Sequence, residues 1–306
     1  MAAVLSINNL SKNYGSIKAL QQVSFEVPAG SIFGILGPNG SGKTTLLGIV
    51  MDVLKATSGN FSWNGSTNND DMRKQIGTLL ETPNFYHYLS AVDNLKIAAK
   101  IKERGEDDVD EVLKIVNLHQ RKDSKFNTFS LGMKQRLAIA SALLGNPNIL
   151  VFDEPTNGLD PAGIAEIREL IKDLSKKGKT IIMASHILDE VEKVCTHVAI
   201  IQKGVLKTVS TVKDVMLSGT TEIGNTVLFE INAEDNTALK EMLTKLDGIT
   251  DVRQTDSGFE VEALQKITAA ILNKHCFEKG IVLNKLITKT KSLETKFLEI
   301  TGKQSG

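Results

Sequence analysis

Scarcity narrows the class of this chain before any motif is considered. Its only cysteines, Cys195 and Cys276, stand far apart and match no metal-ligand spacing. Two such thiols suit a reducing compartment and buried packing positions. Neither charge sign is in excess, because 36 Lys plus Arg offset 36 Asp plus Glu. With no global basic field, nucleic acid is not an expected partner. No run approaches the roughly 18 apolar residues that a membrane-crossing helix requires. The longest candidates, NILVF, TIIMA and HVAII, have the length of buried strands. The opening MAAVLSINNLSKNYG has neither a basic n-region nor an apolar h-region, so no signal peptide is expected. Aromatics are only 5% of the chain.

What is present is ordinary globular material: 306 residues, 41% apolar and 24% charged, enough for one large domain or two moderate ones. The first two-thirds alternate short apolar runs with longer helical patterns, which predicts an α/β fold with a mostly parallel sheet flanked by helices. VLSINNL and VSFEVPAG alternate as strands do, and SIFGIL, QIGTLLE, NILVF, TIIMAS and HVAIIQKG read as further strands. Helices are expected from Gly42 through KTTLLGIVMDVL, over residues 90–120 with a charged break at 103–110, over SLGMKQRLAIASALLG and over AGIAEIRELIKDLSKKG. SGTTEIGNT lacks periodicity and reads as a linker. The remainder has the order βαββαβ, a small α+β ferredoxin-like pattern, followed by a last helix, SLETKFLEITG. The expected domains are therefore 1–218, a linker at 219–226, and 227–306.

Residues 37–45, GPNGSGKTT, follow the strand SIFGIL directly. Gly37, Gly42, Lys43 and Thr44 fit G-x-x-x-x-G-K-[ST], and the cradle as a whole comprises Gly37, Pro38, Asn39, Gly40, Ser41, Gly42, Lys43, Thr44 and Thr45. Glycines let backbone N–H groups approach phosphate oxygens, and a following helix N-terminus adds its positive dipole end. Lys43 is placed to reach the β- and γ-phosphates, and the Thr44 hydroxyl to ligate Mg2+. The loop alone does not say whether the nucleotide is signal, substrate or fuel.

ILVFDEP, residues 149–155, supplies a second half. A buried strand ending in Asp153 offers a carboxylate to the metal. Adjacent strand residues diverge, so Glu154 faces the γ-phosphate instead, as a water-activating base.

Taken together with FSLGMKQR, NGLD and a Ser-His pair at 185–186, these motifs resemble those of ATP-binding-cassette (ABC) ATPases in order and spacing over residues 4–217. The resemblance implies a P-loop NTPase fold with a helical subdomain at about 82–147. It implies that Ser130, Leu131, Gly132 and Met133 form the signature offered in trans to the γ-phosphate of a second subunit, although Leu131 and Met133 replace the usual glycine and glutamine. By the same resemblance Asp160 corresponds to the D-loop aspartate, His186 to the switch histidine, and Tyr14 to the aromatic that stacks on adenine. The other histidines, His87, His119, His197 and His275, show no partner spacing and read as structural or solvent-facing.

At the place of the family's Q-loop glutamine, which touches the metal and the attacking water, this sequence has Glu81. A carboxylate accepts but does not donate. Glu81 joins Thr44 and Asp153 as an expected metal ligand, and with SLGMKQR it resembles the ATPase subunits of exporters for bacitracin, lantibiotics and related compounds. ATP and Mg2+ are thus the implied ligands, with ATP hydrolysis catalysed by Lys43, Glu154 and His186. The implied partners are a separate transmembrane permease and a second ATPase subunit, in a homodimer or heterodimer, with the chain peripheral on the cytoplasmic face of the membrane. TPNFYHYL, after Glu81, is either a permease-docking surface or local core packing. The other class weighed is a non-transport ABC ATPase acting on ribosomes or DNA. The two-cassette chain and the long coiled-coil insertion of such proteins are both absent.

Overall fold

The computed structural model describes residues 2–67, 72, 75–80, 84–217, 226–264, 266–289 and 293–302. The chain divides into two compact units, Met1–Val212 and Lys213–Gly306.

In the first unit β1 (Ala3–Tyr14) and β2 (Ile17–Pro28) form a hairpin, and β3 (Ile32–Leu36) leads into α1 (Lys43–Val50). Strands β4 (Ser58–Trp63) and β5 (Ile76–Leu79) precede α2 (Ala91–Lys102), α3 (Val109–Ile115) and α4 (Leu131–Leu143). There follow β6 (Ile149–Asp153), α5 (Pro161–Lys176), β7 (Thr180–Ser185), α6 (Leu188–Val194), β8 (His197–Gln202) and β9 (Val205–Thr211), and the short α7 (Val212–Leu217) starts at the boundary and belongs otherwise to the second unit.

Two sheets result, one in the order β2-β1-β4 and one in the order β5-β6-β7-β3-β8-β9. Every residue of β3, β6 and β7 is buried. Such continuous apolar strands require cover on both faces, as parallel sheets do. The larger sheet is parallel from β5 to β8 and closes with β9 antiparallel. Its register sets Leu36 opposite Ser185, and Asp153 opposite Ala184. The residues that follow these strands, Gly37, Glu154 and His186, therefore emerge at one edge. Ligands of open α/β sheets bind at that carboxyl edge.

Local sequence explains most boundaries. Ser90 and Asp160 accept hydrogen bonds from Asp93 N and Gly163 N, capping α2 and α5, and Pro161 occupies the first turn of α5. The charged break between α2 and α3 is real, with Glu103 in the left-handed region at φ 54°. Helix α1 is shorter than its apolar run predicts. It ends at Val50 because Asp52 turns left-handed at φ 58° and Gly48 O accepts both Val53 N and Leu54 N. Trp63, fully buried, donates from Nε1 to Val50 O at 2.9 Å and ties this helix end to β4. Strands β4 and β9 and helix α6 were not expected from the sequence.

The second unit runs β10 (Thr226–Ala233), α8 (Asn236–Lys245), β11 (Ile249–Thr255), β12 (Gly258–Leu264), α9 (Ala269–Glu278), β13 (Leu283–Lys289) and α10 (Leu293–Thr301). Its sheet has the order β11-β12-β10-β13 with each neighbouring pair antiparallel, the ferredoxin-like arrangement expected. Phe229, Ile231, Phe259 and Val261 pack against Leu239, Leu243, Leu272 and Cys276 to form its core. Thr226 begins β10 and is not part of a linker, and residues 219–225, the rest of the expected linker, lie outside the described residues.

Both cysteines are buried, and burial pushes both thiols up, so neither is a ready nucleophile. The four histidines set aside above are in packing or hydrogen-bonding roles. His119 lies 3.0 Å from Asp110, His197 stacks on Phe33, His87 meets Phe126 edge-on, and His275 Nδ1 is 3.0 Å from Ile271 O.

Candidate nucleotide site

The loop from β3 to α1 has no room for side chains where its glycines stand. A Cβ on Gly37 would lie 2.2 Å from Ile201 O, and one on Gly42 would lie 2.5 Å from Ala19 O. Gly42 also holds φ 107°, a conformation that L side chains avoid. As N-cap, Gly42 offers no side chain, so the first turn of α1 lacks the cap that Ser90, Ser130 and Asp160 give their helices. The hydroxyl of Ser41, buried in the same loop, has no hydrogen-bond partner among the described residues. Uncapped helix amides and a buried orphan hydroxyl are the donors a phosphate would satisfy.

Lys43 is buried, 5% exposed, and its ammonium donates to Gly37 O at 2.8 Å and Pro38 O at 3.3 Å. It also lies 3.4 Å from Oε1 of Glu154. Oε2 of Glu154 lies 2.8 Å from Nδ1 of His186. The three residues assigned to catalysis from sequence therefore meet at the carboxyl edge of β3, β6 and β7. Glu154 holds φ 48°, left-handed for a residue that is not glycine, while its N–H donates to Ala184 O at 3.0 Å. Backbone strain of this kind persists where the surroundings enforce it, and it concentrates at functional positions.

Asp153 ends β6, buried, and Thr44 is exposed on the first turn of α1. A carboxylate and a hydroxyl suit a hard, oxygen-seeking cation that also takes phosphate oxygens. Among the described residues no group of three or more His, Cys, Asp or Glu could hold a metal alone. Glu81, the remaining expected ligand, lies outside the described residues.

Ser130 caps α4, its hydroxyl accepting from Met133 N at 3.3 Å. Leu131 is half-exposed, and a Cβ on Gly132 would meet nothing within 4 Å. Among the described residues no hydrogen bond or ion pair joins this turn to Lys43, Glu154 or His186 within the chain. Asp160 caps α5 through Gly163 N at 2.9 Å. Between Glu154 and Asp160, Gly158 holds φ 76°, and a Cβ there would come 3.3 Å from Leu131 Cδ2.

Tyr14 stands at the tip of the β1–β2 hairpin, 46% exposed. The Lys12 ammonium lies over its ring, 4.9 Å from the centroid. Sequence reading missed Lys12. A cation placed two before an aromatic on a strand, and hence on the same face, was the available signal.

The aromatic segment after Glu81 does two things. Phe85 packs edge-on against Phe126 at 5.2 Å, while Tyr86 and Tyr88 remain 50% and 66% exposed. Tyr86 N donates to Asn94 Oδ1 at 2.7 Å, fixing the segment on α2. Beside it lies an open groove of about 730 Å³ lined by Leu79, Phe85, Tyr86, Ile97, Ile101 and Ala138 among others. No helix among the described residues is long and apolar enough to cross a membrane.

Comparison with known proteins meets this geometry. The family profile described as "ABC transporter" matches residues 20–157. The chain is 32% identical over 307 residues to the bacitracin transport ATP-binding protein BcrA of Enterococcus faecalis, covering 99% of this chain and 97% of that one. It is 41% identical over 202 residues to the lantibiotic transport ATP-binding protein SrtF of Streptococcus pyogenes, covering 66% of this chain and 88% of that one. Among solved structures it is similar to cbiO1 of Clostridium perfringens, at 30% identity and a TM-score of 0.64, over 70% of this chain and 91% of that one. A dimeric ATP-binding cassette in a post-hydrolysis state with ADP and phosphate matches at 30% identity and a TM-score of 0.61, over 68% of this chain and 98% of that one. The glycine loop, the contact of Lys43, Glu154 and His186 beside it and this end-to-end similarity lead to one assignment: the chain is an ATPase of the ABC transporter ATP-binding family.

Proposed function

We propose that this chain is the ATP-hydrolysing subunit of an exporter for a drug, peptide antibiotic or related compound. In this reading it energises a separate membrane-spanning permease from the cytoplasmic face. The observation that carries hydrolysis is the position of Glu154 between Lys43 and His186. Export of that class of compound is supported by the similarity to the bacitracin and lantibiotic transport proteins.

With ATP bound, Lys43 exchanges the Gly37 and Pro38 carbonyls for phosphate oxygens, and the uncapped amides of α1 take their share of the charge. Glu154 accepts the proton of the attacking water, and His186 holds its carboxylate in place. Thr44 and Asp153 are the described residues that would hold Mg2+, which supplies charge neutralisation at the phosphates. The turn at Ser130, exposed and without a hydrogen bond or ion pair to its own chain's Lys43, Glu154 or His186 among the described residues, is available to close the cradle of a second ATPase subunit. The groove beside Tyr86 is the surface we assign to the permease.

The test is phosphate release from vesicles containing the full chain and its permease, with and without a cyclic peptide antibiotic such as bacitracin. Peptide-stimulated hydrolysis that disappears in Glu154→Gln is the expected result. Peptide-stimulated hydrolysis that persists in Glu154→Gln would refute the catalytic assignment. Hydrolysis that bacitracin, a lantibiotic and other exported drugs leave unchanged would overturn the export reading.

A further inference from the structure

We propose that Lys12 is a positioning residue for the nucleotide base, acting through Tyr14; the inference rests on the reading of Tyr14 as the adenine platform. The Lys12 ammonium lies 4.9 Å from the Tyr14 ring centroid, inside the distance of about 6 Å at which a cation and an aromatic face attract. It is not a loose contact. Lys12 Nζ donates to Lys55 O at 2.7 Å, and Asn13 N donates to Thr57 Oγ1 at 3.0 Å. Thr57 N donates in return to Ser11 O at 2.8 Å. Residues 55–57 thus grip the strand on either side of Lys12.

That grip connects the ring to the cradle. Residues 55–57 follow α1, whose end is closed by Val53 N and Leu54 N on Gly48 O, and α1 begins at Lys43. The tyrosine is therefore held in register with the phosphate loop by the lysine and the segment it bonds. One ring face is occupied by the cation, and the 46% exposure of Tyr14 leaves area for a planar partner on the other. A ring fixed in this way stacks on one side only, without first losing rotamer freedom.

The experiment is equilibrium binding of ATP and of inorganic tripolyphosphate, which has no base, to the full chain. Variants are Lys12→Met, Lys12→Arg, Tyr14→Ala and the double Lys12→Met/Tyr14→Ala. Lys12→Met is expected to weaken ATP about 3- to 10-fold, in line with loss of a cation–aromatic contact, and to leave tripolyphosphate unchanged. Lys12→Arg restores most of the loss, since guanidinium also stacks on aromatic faces, and the double variant is no weaker than Tyr14→Ala. Normal ATP affinity in Lys12→Met beside a weakened Tyr14→Ala would overturn the role of Lys12 and leave the platform standing. Unchanged affinity in Tyr14→Ala would remove the platform itself and this inference with it. Equal weakening of ATP and tripolyphosphate by Lys12→Met would make Lys12 a phosphate-attracting charge and overturn the proposal.

Discussion

The ammonium of Lys43 lies 3.4 Å from the carboxylate of Glu154, across the gap between the loops that follow β3 and β6. The two residues are far apart in the chain and meet only because parallel strands end at a common edge. The Lys43 side chain is 5% exposed and that of Glu154 20%, so each charge has the other as a close partner where access to water is limited. Burial without a partner would be costly for either.

This relationship makes Glu154→Gln a selective lesion. The amide keeps the shape and removes the proton acceptor, so steady-state hydrolysis should fall at least about 100-fold while ATP binding survives. His186→Ala should lower turnover by roughly 10-fold or more on the same grounds. Adding it to Glu154→Gln should cost little further, because both act through one carboxylate. Phosphate release and equilibrium ATP binding, measured on all three variants, check the set. Additive losses would separate the two residues.

Lys43→Arg tests shape against charge. The buried ammonium satisfies two carbonyls and a carboxylate as a compact point charge. A planar guanidinium carries the same charge in a larger fork. ATP affinity should fall at least about 10-fold, nearly as far as in Lys43→Ala; wild-type affinity in calorimetric titration would show that charge alone suffices.

Two glycines of one loop should respond differently to alanine. At Gly37 a Cβ would strike Ile201 O at 2.2 Å and Ser41 Oγ at 2.5 Å, and overpacking of this kind costs about 1–3 kcal/mol or more. At Gly40 nothing lies within 4 Å, and the cost is the left-handed backbone alone, about 1–2 kcal/mol. Denaturant unfolding should rank Gly37→Ala as the less stable protein and show it losing ATP binding. The reverse ranking would contradict the geometry of the loop.

The contribution of Lys102 to stability should rise as pH rises through the alkaline range, opposed by the two buried thiols, whose raised pKa values act in the other direction. Burial, reinforced by neighbouring Arg104, lowers Lys102 from 10.5 to about 8. The unfolded chain therefore holds this proton in a pH interval where the folded chain has released it. Between about pH 8 and 10.5 folding is favoured progressively by deprotonation, and below pH 8 the cost of the buried charge is present in full. The Lys102 ammonium donates to Ser141 O, which limits that cost. In thermal unfolding across this range the stability difference between the parent chain and Lys102→Met should shift in favour of the parent as pH rises, and a difference that does not change with pH would contradict the assignment.

Most of the scaffold was legible in the sequence because it depends on local signals. Buried strands read as unbroken apolar runs, Ser130 announced the start of α4, and the charged stretch after Lys102 announced a break. The signal failed where tertiary contact decides. Strand β4, SGNFSW, has little apolar content and exists because β1 pairs with it. Helix α6 is a short charged segment carried on Val191 and Val194. The loop at 37–45 and the Asp153–Glu154 pair stood out by spacing, and His186 and Tyr14 by family resemblance, but the left-handed backbone of Glu154 was not legible, since glutamate has no preference for it. Nor was the grip on Lys12, whose partner Lys55 is 43 residues away.

Leu131 in place of glycine has a mechanical consequence. Its methyl group borders Gly158, on the loop that continues from Glu154. The turn we propose to close a neighbour's cradle and the loop that continues from Glu154 thus share one van der Waals seam. A rearrangement at either would press on the other directly, with no relay through the body of the protein.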